Sequence, residues 1–246
     1  MINWQYKSEY DIIWGRHIKI SECTLSKETQ DLLYRYFAAT ANLYGVIEIG
    51  KLLKIYNSQN EPVSEEDFLS FVENMNFKSK YFCVFNQDDI YDDGSETPAL
   101  EQEILAEYLY FFEFDDDSLD KYEMLKYRQI GKKFCVLDKE QFLRYEGDCY
   151  FKKTPDFLEM RLFLRNETGL SKEDADDYAN DIMICFATQP DNSEESVYEV
   201  ILGSGIYNRD DIAFSHRKLE YLCQKVMYTS ARLHVLLGHT PEEIFG

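Results

Sequence analysis

Tyr81-Phe82-Cys83-Val84-Phe85 is aromatic and β-branched, Asn86-Gln87-Asp88-Asp89 is turn-prone, and Ile90-Tyr91 is apolar again. That pattern predicts a β-hairpin with its turn at 86–89. What precedes it is helical. Ser26 is a fitting N-cap for a helix whose apolar positions Leu32, Leu33, Tyr36, Phe37 and Leu43 fall at helical spacing, and Gly45 supplies the left-handed stop. Residues 48–57 read as a second helix. Ser64, followed by Glu65, Glu66 and Asp67, reads as the capped start of a third, with acids where the helix dipole favours them. Three short helices and then a hairpin is the order of a winged-helix module.

Outward from the hairpin, Thr97-Pro98 predicts an N-cap and first helical residue. The stripe Leu100, Ile104, Tyr108 and Phe111 would then be the buried face of that helix. The run Glu113-Phe114-Asp115-Asp116-Asp117 would lie past its C-terminus, at a boundary between two halves. Thr154-Pro155 opens a helix ending near Gly169, and Ser171 with Asp174 makes a capping-box-like start. Ser193 opens another helix, and a longer one is expected from about Asp210 to Leu237, stopped by Gly238 before a final turn at Thr240-Pro241. Residues 1–25, with Trp4 and Trp14, read as strand or irregular packing. The fold class expected is mainly α with small β-hairpins (α+β): a winged-helix-like N-terminal half, residues 1–118, and a helical C-terminal half, residues 119–246.

Composition sets the function classes. The 246 residues are 45 % hydrophobic with 11 Gly and 5 Pro, which excludes disordered and fibrous classes. The longest apolar run, Ile182 to Ala187, is far short of a membrane span, and no signal-peptide pattern opens the chain, so a cytoplasmic protein is expected. The six cysteines, Cys23, Cys83, Cys135, Cys149, Cys185 and Cys223, form no C-x-x-C pair and are expected as reduced, buried thiols.

Two stretches resemble a known family. Asn42-Leu43-Tyr44-Gly45-Val46-Ile47, Ile55 to Asn60 and Val63 to Phe68 are similar to an uncharacterised family from Gram-positive bacteria whose members often carry a C-terminal, zinc-binding SEC-C motif. Arg232 and Gly238-His239-Thr240-Pro241-Glu242-Glu243 resemble the segment that precedes that motif in the family. The chain reaches Gly246 without the Cys-rich motif, so no zinc or nucleic-acid role is carried over from it, and the family supplies no activity to transfer.

No chemistry-bearing motif emerges. There is no G-x-S-x-G elbow, Walker loop, G-x-G-x-x-G or H-E-x-x-H. His234 and His239 are on different helix faces, and an EF-hand frame beginning at Asp89 places Tyr91 and Leu100 where oxygen ligands are needed. Neither metal nor cofactor is expected, and a hydrolase with an unrecognised site is a minor alternative.

Charge is the informative feature. The formal net charge is −20, and residues 81–120 carry thirteen acids with no Lys or Arg. Solubility would account for some of this. The residues expected to bind a partner are Asp88, Asp89, Asp92, Asp93, Glu103, Glu107, Glu113, Asp115, Asp116 and Asp117. On the helical reading Glu103 and Glu107 repel at i, i+4, and the aspartate triplet opposes the dipole at a helix C-terminus. Placement against local preference points to a basic partner. The function expected is therefore a non-enzymatic acidic interaction protein that binds a basic, nucleic-acid-handling protein, as a nucleic-acid-mimicking inhibitor of anti-CRISPR or anti-restriction type. Neither membrane nor nucleic acid is expected as a direct partner. The alternative is a winged-helix-like regulator touching nucleic acid through the bases of residues 121–153, which could instead cancel the acidic band internally. A second acidic stretch, 171–199, has nine acids against Lys172.

Overall fold

Phe37 decides how the first elements pack. Its ring lies 5.7 Å from Phe68 and 5.4 Å from Phe82, centroid to centroid, both stacked. Those three rings come from a helix, a later helix and a strand, so aromatic burial joins them into one layer over the sheet. The computed structural model describes residues 23–75, 82–91, 94, 96–106, 116–147, 150–188, 216–230 and 236–245. The chain is mainly helical with a small three-stranded antiparallel sheet.

The order begins α1 (Lys27–Tyr44), β1 (Val46–Glu48), α2 (Ile49–Gln59), α3 (Glu65–Met75) and β2 (Phe82–Phe85). Ser26 Oγ accepts from Thr29 N at α1, and Ser64 Oγ accepts from Asp67 N at α3, as the capping signals predict. The Gly45 N–H closes α1 on Ala41 O.

The hairpin differs from the expectation. Ile90-Tyr91 is not its second strand; it ends a short helix, α4 (Gln87–Tyr91). Asp89 Oδ2 accepts from Asn86 N and Asp88 Oδ1 from Gly94 N, so the aspartates close a helical turn instead of a tight β-turn. The helix expected from Thr97-Pro98 is likewise replaced. Ala99–Glu101 is a single 3₁₀ turn, and Glu103–Ala106 is strand β3. Thr97 Oγ1 accepts from Gln87 N at the start of α4 and caps nothing of its own. Tyr108 and Phe111 lie outside the described residues. β3 is the central strand, in the order β1-β3-β2, with Ile47 and Val84 flanking Ile104. Ile104 faces the main core while Leu105 joins a smaller cluster with Val46, Phe85, Tyr122, Leu125 and Leu236. A strand covered on both faces gives a continuous apolar run without period-two alternation, which is why helical spacing was as good a match.

Further on come α5 (Asp116–Gln129), α6 (Lys139–Leu143) with a 3₁₀ turn Arg144–Glu146, α7 (Pro155–Glu167), α8 (Lys172–Thr188), α9 (His216–Thr229) and α10 (Pro241–Phe245). Thr154 Oγ1 accepts from Phe157 N, and Ser171 Oγ from Asp174 N. At α10 the bonds are reciprocal, Glu243 N to Thr240 Oγ1 and Thr240 N to Glu243 Oε2, a capping box. The long helix expected to Leu237 ends at Thr229, and Leu236–Gly238 forms a turn. The helix expected at Ser193 and the reading of residues 1–22 lie outside the described residues.

One hydrophobic cluster runs from Leu33 and Phe37 through Phe142, Phe157 and Phe186 to Val226, on both sides of the 118/119 division. Asn42 Nδ2 ties α1 to the Arg144–Glu146 turn by donating to the carbonyls of Tyr145 (3.3 Å) and Gly147 (3.2 Å). Among the described cysteines all five are free; Cys223 is buried and Cys23, Cys83, Cys135 and Cys185 are only half-buried, correcting the expectation of uniformly buried thiols.

Candidate interaction surface

Gly50 sets the geometry of one cleft. A Cβ at this position would sit 2.8 Å from Leu100 O, so α2 approaches the 3₁₀ turn as closely as a glycine permits. Ile49 N donates to Gln102 O (2.8 Å) at the same contact. Beside it opens a cleft of about 650 Å³ whose charged lining is Glu48, Lys51, Lys54, Glu65 and Glu101. Acids from the start of α3 and from the β2–β3 connection therefore face one space. Lys51 is 2.9 Å from Glu48, an exposed pair one turn apart.

The residues expected at the partner surface separate. Asp88 and Asp89 lie in the first turn of α4, holding backbone N–H groups. Glu103 is on β3, and its side chain is only 15 % exposed. The Tyr122 hydroxyl donates to Glu103 Oε2 and Lys126 Nζ to Oε1, so one base of the 121–153 segment does cancel one acid of the band. Asp116 and Asp117 begin α5, at the end of a helix where anions are favoured. The helix expected to precede them would end within residues outside the described part, and Glu103, on a strand, is in no helix with Glu107. The argument that the acids sit against local preference therefore falls for these residues. Asp92, Asp93, Glu107, Glu113 and Asp115 lie outside the described residues.

Sequence reasoning read α3 only as a capped helix. Glu65 and Glu66 are exposed on it, and residues 55–77 hold five acids and no Lys or Arg, a signal that was available. Hydrogen bonds from Ser64, then Thr24, hold the Asp67 carboxyl below the usual carboxylate range. That leaves α3 and the β2–β3 connection, with exposed Glu96 and Glu101, as two adjoining elements bearing acids and no bases.

Elsewhere several charges are paired across elements. Arg35 on α1 pairs with Glu146 through two hydrogen bonds, beside a shallow basin lined also by Glu140 and Arg144. On α9, Lys225 bridges Asp156 (2.8 Å) and Glu159 (2.7 Å) of α7, and Lys218 meets Glu167 (2.7 Å). Hydrogen bonding from Lys225 holds the Asp156 carboxyl down, as Arg165 does for Asp176, where the charges of Arg165, Arg161 and Lys172 add to the effect. In the second acidic stretch, Asp176 is thus paired, and residues 189–199 lie outside the described part.

Among the described residues no three His, Cys, Asp or Glu side chains are grouped as metal ligands, and no helix is long and apolar enough to cross a membrane. His239 Nδ1 lies 3.5 Å from Glu243 beside the α10 cap; His17 and His234 are outside the described residues. No protein-family model, curated protein or solved structure matches this chain.

Proposed function

We propose that the chain is a non-catalytic interaction protein whose acidic surface binds a basic, nucleic-acid-handling protein, acting as a nucleic-acid mimic of anti-CRISPR or anti-restriction type in the cytoplasm. The observation that carries this reading is the joint absence of Lys and Arg from α3 and from the β2–β3 connection, whose acids Glu65 and Glu101 line one cleft. The element order α1-β1-α2-α3-β2-α4-β3, with a 3₁₀ turn before β3 and β3 central in the sheet, supports a winged-helix-like N-terminal half, the helix α4 standing where a hairpin turn would be. In helix-turn-helix DNA binders the second helix enters the major groove. The corresponding α3 here would meet phosphates with Glu65, Glu66 and Glu73, and repulsion disfavours that approach. The same surface attracts a cationic groove built for nucleic acid.

A second reading, nucleic-acid contact through residues 121–153, draws on exposed Arg128, Lys133, Lys139, Lys152 and Lys153. It accords with a regulatory member of the SEC-C-associated family. A gel shift on plain duplex DNA separates the two. The acidic reading expects no retardation at physiological salt, and retardation abolished by Arg128→Gln with Lys133→Gln would replace it with the second.

A further inference from the structure

α5 packs on the sheet through Tyr122 and Leu125, both buried, and turns its opposite face outward. On that face Met124 is 47 % exposed and Tyr127, one turn on, 73 %. Ile130, just past the helix end, is also 73 % exposed. Three large apolar side chains on one short stretch differ from the single, scattered exposures of an ordinary surface. The charges are sorted along the same helix. Its first eight positions, 116–123, hold Asp116, Asp117, Asp120 and Glu123 against Lys121 alone. The ten that follow, 124–133, hold Lys126, Arg128, Lys132 and Lys133 and no acid.

Lys126 is engaged by Glu103 on the inner side. Glu123 and Arg128 flank the apolar residues on the outer side, both are exposed, and neither has an ion pair among the described residues. Five positions apart, they are not neighbours on one helix. The Lys132 ammonium donates to Arg128 O, so two cations sit side by side at the helix end.

We propose that this face is the interface of a two-fold symmetric dimer of the chain, with the two α5 helices side by side and antiparallel. A two-fold axis midway between Met124 and Tyr127 sets Met124 of each copy on Tyr127 of the other. The same register sets Glu123 of each copy opposite Arg128 of the other. The apolar contacts are then framed by two ion pairs, and the acidic half of each helix meets the basic half of the second. A parallel pairing would set acids on acids and bases on bases. A nucleic acid laid along α5 would meet its acids, and a uniformly basic partner its bases, so the face fits a second copy best. At about 21 Å long, α5 offers one face short of the ~800 Å² per partner of a standard interface, and a weak dimer is expected. None of the residues lining the acidic cleft takes part, so the dimer is independent of that reading.

Sedimentation velocity of the full chain across a concentration series tests it, at physiological salt, where repulsion between two chains of charge −20 is screened beyond about 8 Å. The wild type should pass from monomer to dimer with a Kd on the order of 10–100 µM, weakened about tenfold or more by Tyr127→Ser. Glu123→Arg and Arg128→Glu should each be monomeric alone, because each creates two like-charge contacts across the axis. Mixed together, the two variants should dimerise, because both cross-pairs are then complementary. All three positions are exposed, so each variant should keep the wild-type Tm. A wild type that stays monomeric up to about 500 µM overturns the proposal. So does a dimer unchanged by all three substitutions, or a variant mixture that remains monomeric. Duplex DNA bound by a monomeric wild type and lost with Arg128→Glu also overturns it, assigning the face to nucleic acid.

Discussion

Lys126 Nζ on α5 lies 2.6 Å from Glu103 Oε1 on β3, with the Tyr122 hydroxyl on the other carboxylate oxygen. Across the sheet Glu103 faces Glu48 of β1, a like-charge pair, and each glutamate has its own lysine. Like charges directly opposite in antiparallel strands destabilise a sheet. Lys126 therefore does structural work that docks α5 on the outer face of the sheet, beside Leu105 and Phe85.

Lys126→Met should destabilise the fold by about 1–2 kcal/mol, since it leaves a mostly buried carboxylate opposite another. A Lys126→Met, Glu103→Gln double-mutant cycle in urea should return a coupling of at least ~0.5 kcal/mol. A coupling near zero would mean that the Lys126–Glu103 pair contributes nothing to the docking of α5.

Gly238 and Gly94 both have positive φ, +85° and +69°, and differ in their surroundings. A Cβ at 238 would lie 2.9 Å from Leu43 Cδ1 and 3.3 Å from Cys135 Cβ, whereas at 94 nothing lies within 4 Å. Gly94→Ala should cost about 1 kcal/mol from backbone strain, and Gly238→Ala clearly more, because Leu43 is buried. Equal losses in thermal unfolding would show that the Leu236–Gly238 turn does not pack on α1.

Thr154→Ala removes the α7 cap and should cost about 1 kcal/mol. Recovery with Thr154→Ser would tie the loss to the hydroxyl; no recovery would assign it to the packing of the threonine methyl.

Asp156 and Asp176 have carboxyls held below the ordinary value of 3.8 in the folded chain, by Lys225 and by Arg165. Depressed acids stabilise the fold fully above their unfolded value and lose that contribution as pH falls through the folded one. Stability should thus drop as pH falls below about 3.8, and Asp176→Asn should flatten that drop while lowering stability at pH 7. Urea titrations of wild type and variant between pH 2 and 7 read this directly. An unchanged acid limb in the variant would contradict it.

Much of the helical scaffold was legible because caps are local chemistry: Ser26, Ser64, Thr154, Ser171 and Thr240 each accept from the backbone N–H three residues on. The segment from Gln87 to Ala106 was misread for a non-local reason. Ile104 and Leu105 gain burial on opposite sheet faces only once β1 and β2 are in place, and nothing within the window reveals those partners. The same error hid that Asp116 and Asp117 begin a helix of their own, and placed Glu103 on an exposed face. Of the acidic surface, the absence of bases from residues 55–77 was readable, but that α3 adjoins the β2–β3 connection depends on the fold.

The central claim is that α3 and the β2–β3 connection together imitate the charge of a nucleic acid. Immobilised wild-type chain and a variant carrying Glu65→Gln, Glu66→Gln, Glu96→Gln and Glu101→Gln are each used to retain proteins from a bacterial lysate, with elution by rising salt and, separately, by duplex DNA. The account predicts a basic protein retained by the wild type, released steeply by salt, displaced by the DNA, and held about tenfold less by the variant. Retention indifferent to salt and DNA, or equal for the two chains, would contradict it.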